Sequence, residues 1–172
     1  MSGYGLDEEF HLSTVLERNL RKQGFDVKII NGSVSGDTTS GGLNRLNWLL
    51  ESRNIDIVIL CLGANDMLRG TNPDLIRQNL NKILEILRER NIQILLAGML
   101  SQETYGKKYK KKFDEIYPEL ANTHKVAFLP FLLEGIALNP KLNLDDGKHP
   151  NSEGVKLISK NLENQLINLL KN

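Results

Sequence analysis

Ile55-Asp56-Ile57-Val58-Ile59-Leu60-Cys61-Leu62, followed at once by Gly63-Ala64-Asn65-Asp66, is the stretch whose reading decides the fold. The run is apolar and β-branched almost without interruption, which is the pattern of a strand covered on both faces. Its length suits a strand, and Gly63 marks where it turns. A strand covered twice needs helices on both sides of its sheet, so the flanking segments should be helical.

Their apolar spacing reads that way. Downstream, Pro73 sits in the first turn of an expected helix reaching about Arg90, with Leu75, Leu80, Ile83, Leu84 and Leu87 apolar. Ile92–Met99 reads as a second buried strand, Tyr105–His124 as a helix and Val126–Phe131 as a short final strand. Gly135–Asp145 is irregular, and Ser152–Leu170 closes the chain as an amphipathic helix. Upstream, Ser2–Gly5 is loop-like, and Asp7–Gln23 is helical until Gly24 ends it. Phe25–Asn31 reads as a strand, Gly32–Thr39 as a Gly/Ser-rich turn and Gly41–Arg53 as a helix. Strand–helix alternation without repeats predicts an α/β fold: a doubly wound parallel sheet in a three-layer α/β/α sandwich, as one domain over residues 1–172. In such sheets function gathers on loops leaving the C-terminal ends of the strands. Gly32–Thr39, Gly63–Asp66 and Asp145–His149 all fit that rule.

Composition narrows the function. With 40% hydrophobic and 25% charged residues, the 172-residue chain is near the average of soluble globular proteins. A formal charge of +1 gives no electrostatic case for nucleic acid or an anionic membrane. No apolar run approaches the roughly 20 residues of a spanning helix, so no stable membrane insertion is expected. Cys61 is alone, which excludes an intrachain disulfide and suits a small core hydrophobe. The opening residues contain neither a basic nor an apolar signal region, so the expected location is the cytoplasm, or the periplasm or exterior should the chain start further upstream. A monomer is expected. Lys107-Lys108-Tyr109-Lys110-Lys111-Lys112 reads as a solvated face, and Trp48 as a packing residue.

The chemistry lies in the loops. In Asp145-Asp146-Gly147-Lys148-His149-Pro150, an acid three residues ahead of a histidine can hold one imidazole nitrogen and leave the other facing a cleft. That makes Asp146 an orienter and His149 a base. The same pair is compatible with metal ligation, or Asp146 with capping the next turn. Acyl transfer also needs donors for an oxyanion. Gly36 could offer a backbone N–H and Asn65 its uncharged amide. Equally, Gly36 could serve only a positive φ, and Asn65-Asp66 could simply begin a turn or cap a helix.

Together these segments resemble the GDSL, or SGNH, hydrolases, and in particular the bacterial arylesterase/thioesterase I/lysophospholipase L1 branch. The matching stretches are Gly3-Tyr4-Gly5-Leu6, Val34–Thr39, Gly42–Leu46, Leu62–Gly70, Asn79-Leu80, Tyr105-Gly106, Phe113–Pro118, Leu129–Phe131 and Asp145–Asn151. They run in family order along nearly the whole chain. The resemblance implies the flavodoxin-like SGNH fold and hydrolysis of acyl esters, thioesters or lysophospholipids, with no metal or organic cofactor. It carries the oxyanion donors onto Gly36 and Asn65 and the acid–base pair onto Asp146 and His149. Ala64 stands where the branch usually has a second glycine before the asparagine.

The Gly-Asp-Ser-Leu block that holds the family's nucleophilic serine and ends its first central strand has no match here. Both are then expected upstream of Met1. Ser2 would fall three residues after the nucleophile, and Ser13, Ser33 and Ser35 do not match it. The alternative is a truncated, catalytically silent homologue that binds an acyl ligand.

Overall fold

A computed structural model describes residues 3–51 and 54–171, so Ser2, and Ser52 and Arg53 at the end of the expected second helix, lie outside the described residues. The chain forms two compact units. Gly36–Phe131 is one, and Met1–Ser35 with Leu132–Asn172 is the other.

The Gly36–Phe131 unit contains a three-stranded sheet of β1 (Ile57–Leu60), β2 (Gln93–Ala97) and β3 (Ala127–Leu129), in that order and parallel throughout. Ile57 pairs with Gln93 and Leu95 with Ala127. Parallel neighbours need crossovers, supplied by α3 (Ala64–Leu68) and α4 (Pro73–Glu89), then by α5 (Lys107–Asp114) and α6 (Ile116–His124). α4 and α6 pack on β2, and α2 (Thr39–Glu51) packs on α4. Ile76, Leu80, Ile83, Leu84 and Leu87 of α4 are all buried, against Leu95 and Leu96 buried in β2. Each such side chain contributes roughly 2 kcal/mol relative to an exposed one.

The second unit pairs α1 (Leu12–Lys22) with α7 (Ser152–Leu170). Val15, Leu16 and Leu20 are buried in α1, and Val155, Ile158, Leu162 and Leu166 in α7. Asn19 Nδ2 donates to Ser159 Oγ at 3.1 Å and to Glu163 at 2.9 Å, which sets the register of the two helices.

Several expected elements differ. Phe25–Asn31 is extended but pairs with no strand among the described residues. Its backbone groups go instead to side chains of α1: Ile29 N–H donates to Glu17 at 2.6 Å, and Val27 C=O accepts from Arg21 Nε at 2.8 Å. β1 is shorter than Ile55–Leu62 and only Leu60 is buried, because β1 pairs with β2 alone and is an edge in the described sheet. The expected helix Tyr105–His124 is broken at Glu115. Pro118 explains the break, since its ring opposes a carbonyl four residues back, at Asp114.

The helix expected from Asp7 starts instead at Leu12, after a 3-10 turn at Glu8–Phe10, with His11 extended. The second helix begins at Thr39 rather than Gly41, because Thr38 Oγ accepts the Gly41 N–H at 3.2 Å and acts as its cap. Trp48 is exposed, not packed: the buried positions of α2 are Thr39, Gly42, Leu46 and Leu50, and Trp48 lies across the helix from them.

Candidate active site

The Asp146 loop is closed by backbone bonds before any side chain acts. Leu144 N–H donates to His149 O at 2.7 Å and Gly147 N–H to Leu144 O at 2.8 Å, while Asn143 and Pro150 form an antiparallel bridge. Asn143 is buried and donates its amide to Ile136 O and Asn139 O, both at 2.8 Å, tying the loop down.

Within this frame Asp146 does two things. Its Oδ1 accepts the backbone N–H groups of Lys148 at 2.8 Å and His149 at 2.9 Å, forming an Asx-type turn. Its Oδ2 meets His149 Nδ1 at 2.6 Å. The bond from the His149 ring, then the His149 and Lys148 backbone N–H groups, hold the Asp146 carboxyl well below the usual carboxylate range. An ionised acceptor requires a proton on Nδ1, which leaves Nε2 as the lone-pair nitrogen. Nε2 has no hydrogen-bond partner among the described residues. Asp146 thus caps the turn with one oxygen and meets the imidazole with the other.

Gly36 and Asn65 are brought together inside the Gly36–Phe131 unit. Gly36 sits at φ +72. Arg69 Nη2 donates to Gly36 O at 2.9 Å, and Asn65 Nδ2 donates to Asp37 O at 2.8 Å. Both carbonyls of the turn are thus held, and the Asn65 amide has one N–H fixed and a second to offer. Asp37 itself accepts from Arg45 Nε at 2.7 Å and from Thr38 N–H at 2.9 Å.

Beneath lies a buried polar knot. Asp66 Oδ2 accepts Thr39 N–H at 2.9 Å, Asp66 Oδ1 accepts Thr39 Oγ–H at 2.7 Å, and Asn79 Nδ2 donates to Thr39 Oγ at 3.1 Å. All three residues are buried. The knot pins the start of α2 to α3, and so ties the turn that carries Gly36 to the helix start that carries Asn65. Gly63 at φ +110 opens α3, and a Cβ there would lie 2.1 Å from Tyr117 Oη. That hydroxyl donates to Leu62 O at 2.9 Å, and burial pushes its pKa well up, so it remains a donor.

Asp66, Thr39, Arg69 and Tyr4 were not singled out from sequence. Their signal was membership of the matched motifs alone. Tyr4 lies over His149 with ring centroids 4.5 Å apart. Of the lysine cluster, Lys110 bonds Asp114 and Lys112 bonds Asp74, and Lys107, Lys108, Lys111 and Lys112 are exposed. Among the described residues no group of three or more His, Cys, Asp or Glu is placed to hold a metal ion, and no helix is long and apolar enough to cross a membrane.

An acid-held imidazole thus stands in the Leu132–Asn172 segment, and a glycine–asparagine pair in the Gly36–Phe131 unit. The chain belongs to the GDSL-like lipase/acylhydrolase family, whose model matches residues 1–157. It is 37% identical over 166 residues to the arylesterase of Vibrio mimicus, covering 96% of this chain and 83% of that protein. It is 38% identical over 140 residues to thioesterase 1/protease 1/lysophospholipase L1 of Escherichia coli strain K12, covering 81% of this chain and 67% of that protein. Among solved structures, the crystal structure of TesA superposes with a TM-score of 0.93 at 33% identity, covering 98% of this chain and 93% of that one. The fold is accordingly the α/β fold of these hydrolases, with a small number of strands in the described sheet.

Proposed function

We propose that this chain carries the general base, its orienter and the oxyanion donors of a serine-type carboxylic ester hydrolase. The observation that carries the reading is the Asp146–His149 pair, with Nδ1 held at 2.6 Å and Nε2 uncommitted. His149 Nε2 takes the proton of a serine hydroxyl as it attacks the acyl carbonyl, and Asp146 stabilises the imidazolium. The Gly36 N–H and the second N–H of Asn65 stabilise the oxyanion, with the nucleophile's own N–H as a third donor. His149 then hands its proton to the leaving group, and water, deprotonated by the same nitrogen, releases the acyl group.

The nucleophilic serine of this reading has no match within residues 1–172, which contain no Gly-Asp-Ser-Leu block. Aryl esters, thioesters and lysophospholipids are the candidate substrates, from the names of the relatives above. The native protein should hydrolyse p-nitrophenyl esters, and Asn65→Ala should lower kcat by about 100-fold or more; an Asn65→Ala rate within threefold of wild type would contradict the role. The same missing block favours a second reading, that residues 1–172 by themselves bind acyl ligands without cleaving them. Assaying residues 1–172 beside a version extended upstream by a Gly-Asp-Ser-Leu block separates the two.

A further inference from the structure

Tyr4 is a large aromatic residue left 57% exposed, so core burial does not account for it. Its ring lies on His149, centroids 4.5 Å apart and planes tilted by 33°. The turn that presents it is built for the contact. Leu6 N–H donates to Gly3 O at 3.0 Å, closing a four-residue turn with Tyr4 and Gly5 at its centre. Gly5 has φ +71, the left-handed geometry that the third position of a type II turn requires.

Both flanking glycines also fit against neighbours. A Cβ on Gly3 would lie 2.0 Å from the His11 ring, whose Nε2 is 3.1 Å from Leu6 O. A Cβ on Gly5 would lie 2.9 Å from Leu144 Cδ1, and Leu144 is the residue whose N–H and C=O close the Asp146–His149 loop. The turn therefore rests on the His149 loop at two points, with Gly5 on Leu144 and Tyr4 on the imidazole.

An imidazole held only through Nδ1 can still rock about that bond. Asp146 fixes one edge of the ring, and a second contact on its face removes the remaining freedom. We propose that Tyr4 is a positioning residue for His149: the Tyr4 ring and the Asp146 carboxylate together hold the imidazole so that Nε2 points in one direction. This rests on the reading of His149 as the base. The tyrosine hydroxyl is not needed, since the contact is ring against ring.

The test uses Tyr4→Ala and Tyr4→Phe in the native protein, with two readouts. Tyr4 stands on a surface turn and outside the buried core, so neither change opens a core cavity. In NMR spectra the His149 Cε1–H resonance should carry a ring-current shift that Tyr4→Ala abolishes and Tyr4→Phe preserves. In p-nitrophenyl ester turnover, Tyr4→Ala should lower kcat about tenfold with KM little changed, and Tyr4→Phe should restore it. An unmoved His149 resonance in Tyr4→Ala overturns the proposal whatever the turnover shows. An unchanged kcat in Tyr4→Ala overturns it too, provided His149→Ala is inactive. Full turnover in His149→Ala would instead defeat the base reading, and with it any catalytic role for Tyr4, while the ring-current result would still report the contact.

Discussion

Asp146 holds His149 twice, through Oδ2 to the ring Nδ1 at 2.6 Å and through Oδ1 to the backbone N–H at 2.9 Å. One carboxylate thereby shapes the loop and fixes the tautomer of the imidazole it carries. Asp146→Asn separates these functions. The amide oxygen can still cap the turn, but the amide N–H₂ facing Nδ1 favours the wrong tautomer. The expected result is a kcat lowered by about a thousandfold or more with the melting midpoint nearly unchanged, read by ester kinetics and circular dichroism. An Asn variant retaining a tenth of the activity would contradict the assignment.

The same bonds set a pH expectation. Because the folded state lowers the Asp146 pKa, the stability it contributes is present above the unfolded carboxylate value of about 3.9 and is lost as pH falls below it. The carboxylate should thus stay ionised from pH 8 down to about 4, and an acid-side loss of activity within that range is not its protonation. A carboxyl-carbon NMR titration of Asp146 should be flat over this range, and His149→Ala should raise its midpoint toward the ordinary value. A wild-type midpoint near 4 would refute the account of the pair.

The Thr39–Asp66–Asn79 knot beside Gly36 and Asn65 should matter for stability. Thr39→Val removes the hydroxyl that Asp66 Oδ1 and Asn79 Nδ2 both use, leaving two buried polar groups short of a partner. A loss of about 2–3 kcal/mol in urea unfolding is expected, with Thr39→Ser recovering most of it. Equal stability of the valine variant would show that these groups find other partners.

Two glycines with positive φ should respond differently to alanine. At Gly63 a Cβ meets Tyr117 Oη at 2.1 Å, whereas at Gly36 the nearest atom is Arg69 Nη2 at 3.8 Å. Gly36→Ala should cost about 1 kcal/mol from backbone conformation alone. Gly63→Ala should cost more, about 2–4 kcal/mol, because the Tyr117 bond to Leu62 must also shift. Denaturant midpoints of the two variants, compared directly, check the order.

The sheet's central run, the α4 pattern and the closing helix α7 were legible in the sequence because burial imposes a period that sequence displays. Ser152–Leu170 is helical to both expected ends, with Asn151 capping it through Gly154 N–H at 3.0 Å. What escaped was set by particular contacts. Phe25–Asn31 has a strand's composition, but pairing depends on a neighbour that composition cannot supply. Trp48 is apolar yet points away from Leu46 and Leu50. At the site, the Asp146–His149 spacing was readable because it is local. The Thr39–Asp66–Asn79 knot was not, since its members are 27 and 40 residues apart and individually ordinary.

The central claim is that His149 is the base of an ester hydrolase. The most direct measurement is p-nitrophenyl ester hydrolysis by the native protein and its His149→Ala variant, at matched folding shown by circular dichroism. The account predicts that kcat falls by about a thousandfold or more in the variant. A folded His149→Ala protein that keeps a tenth or more of the wild-type rate would contradict it.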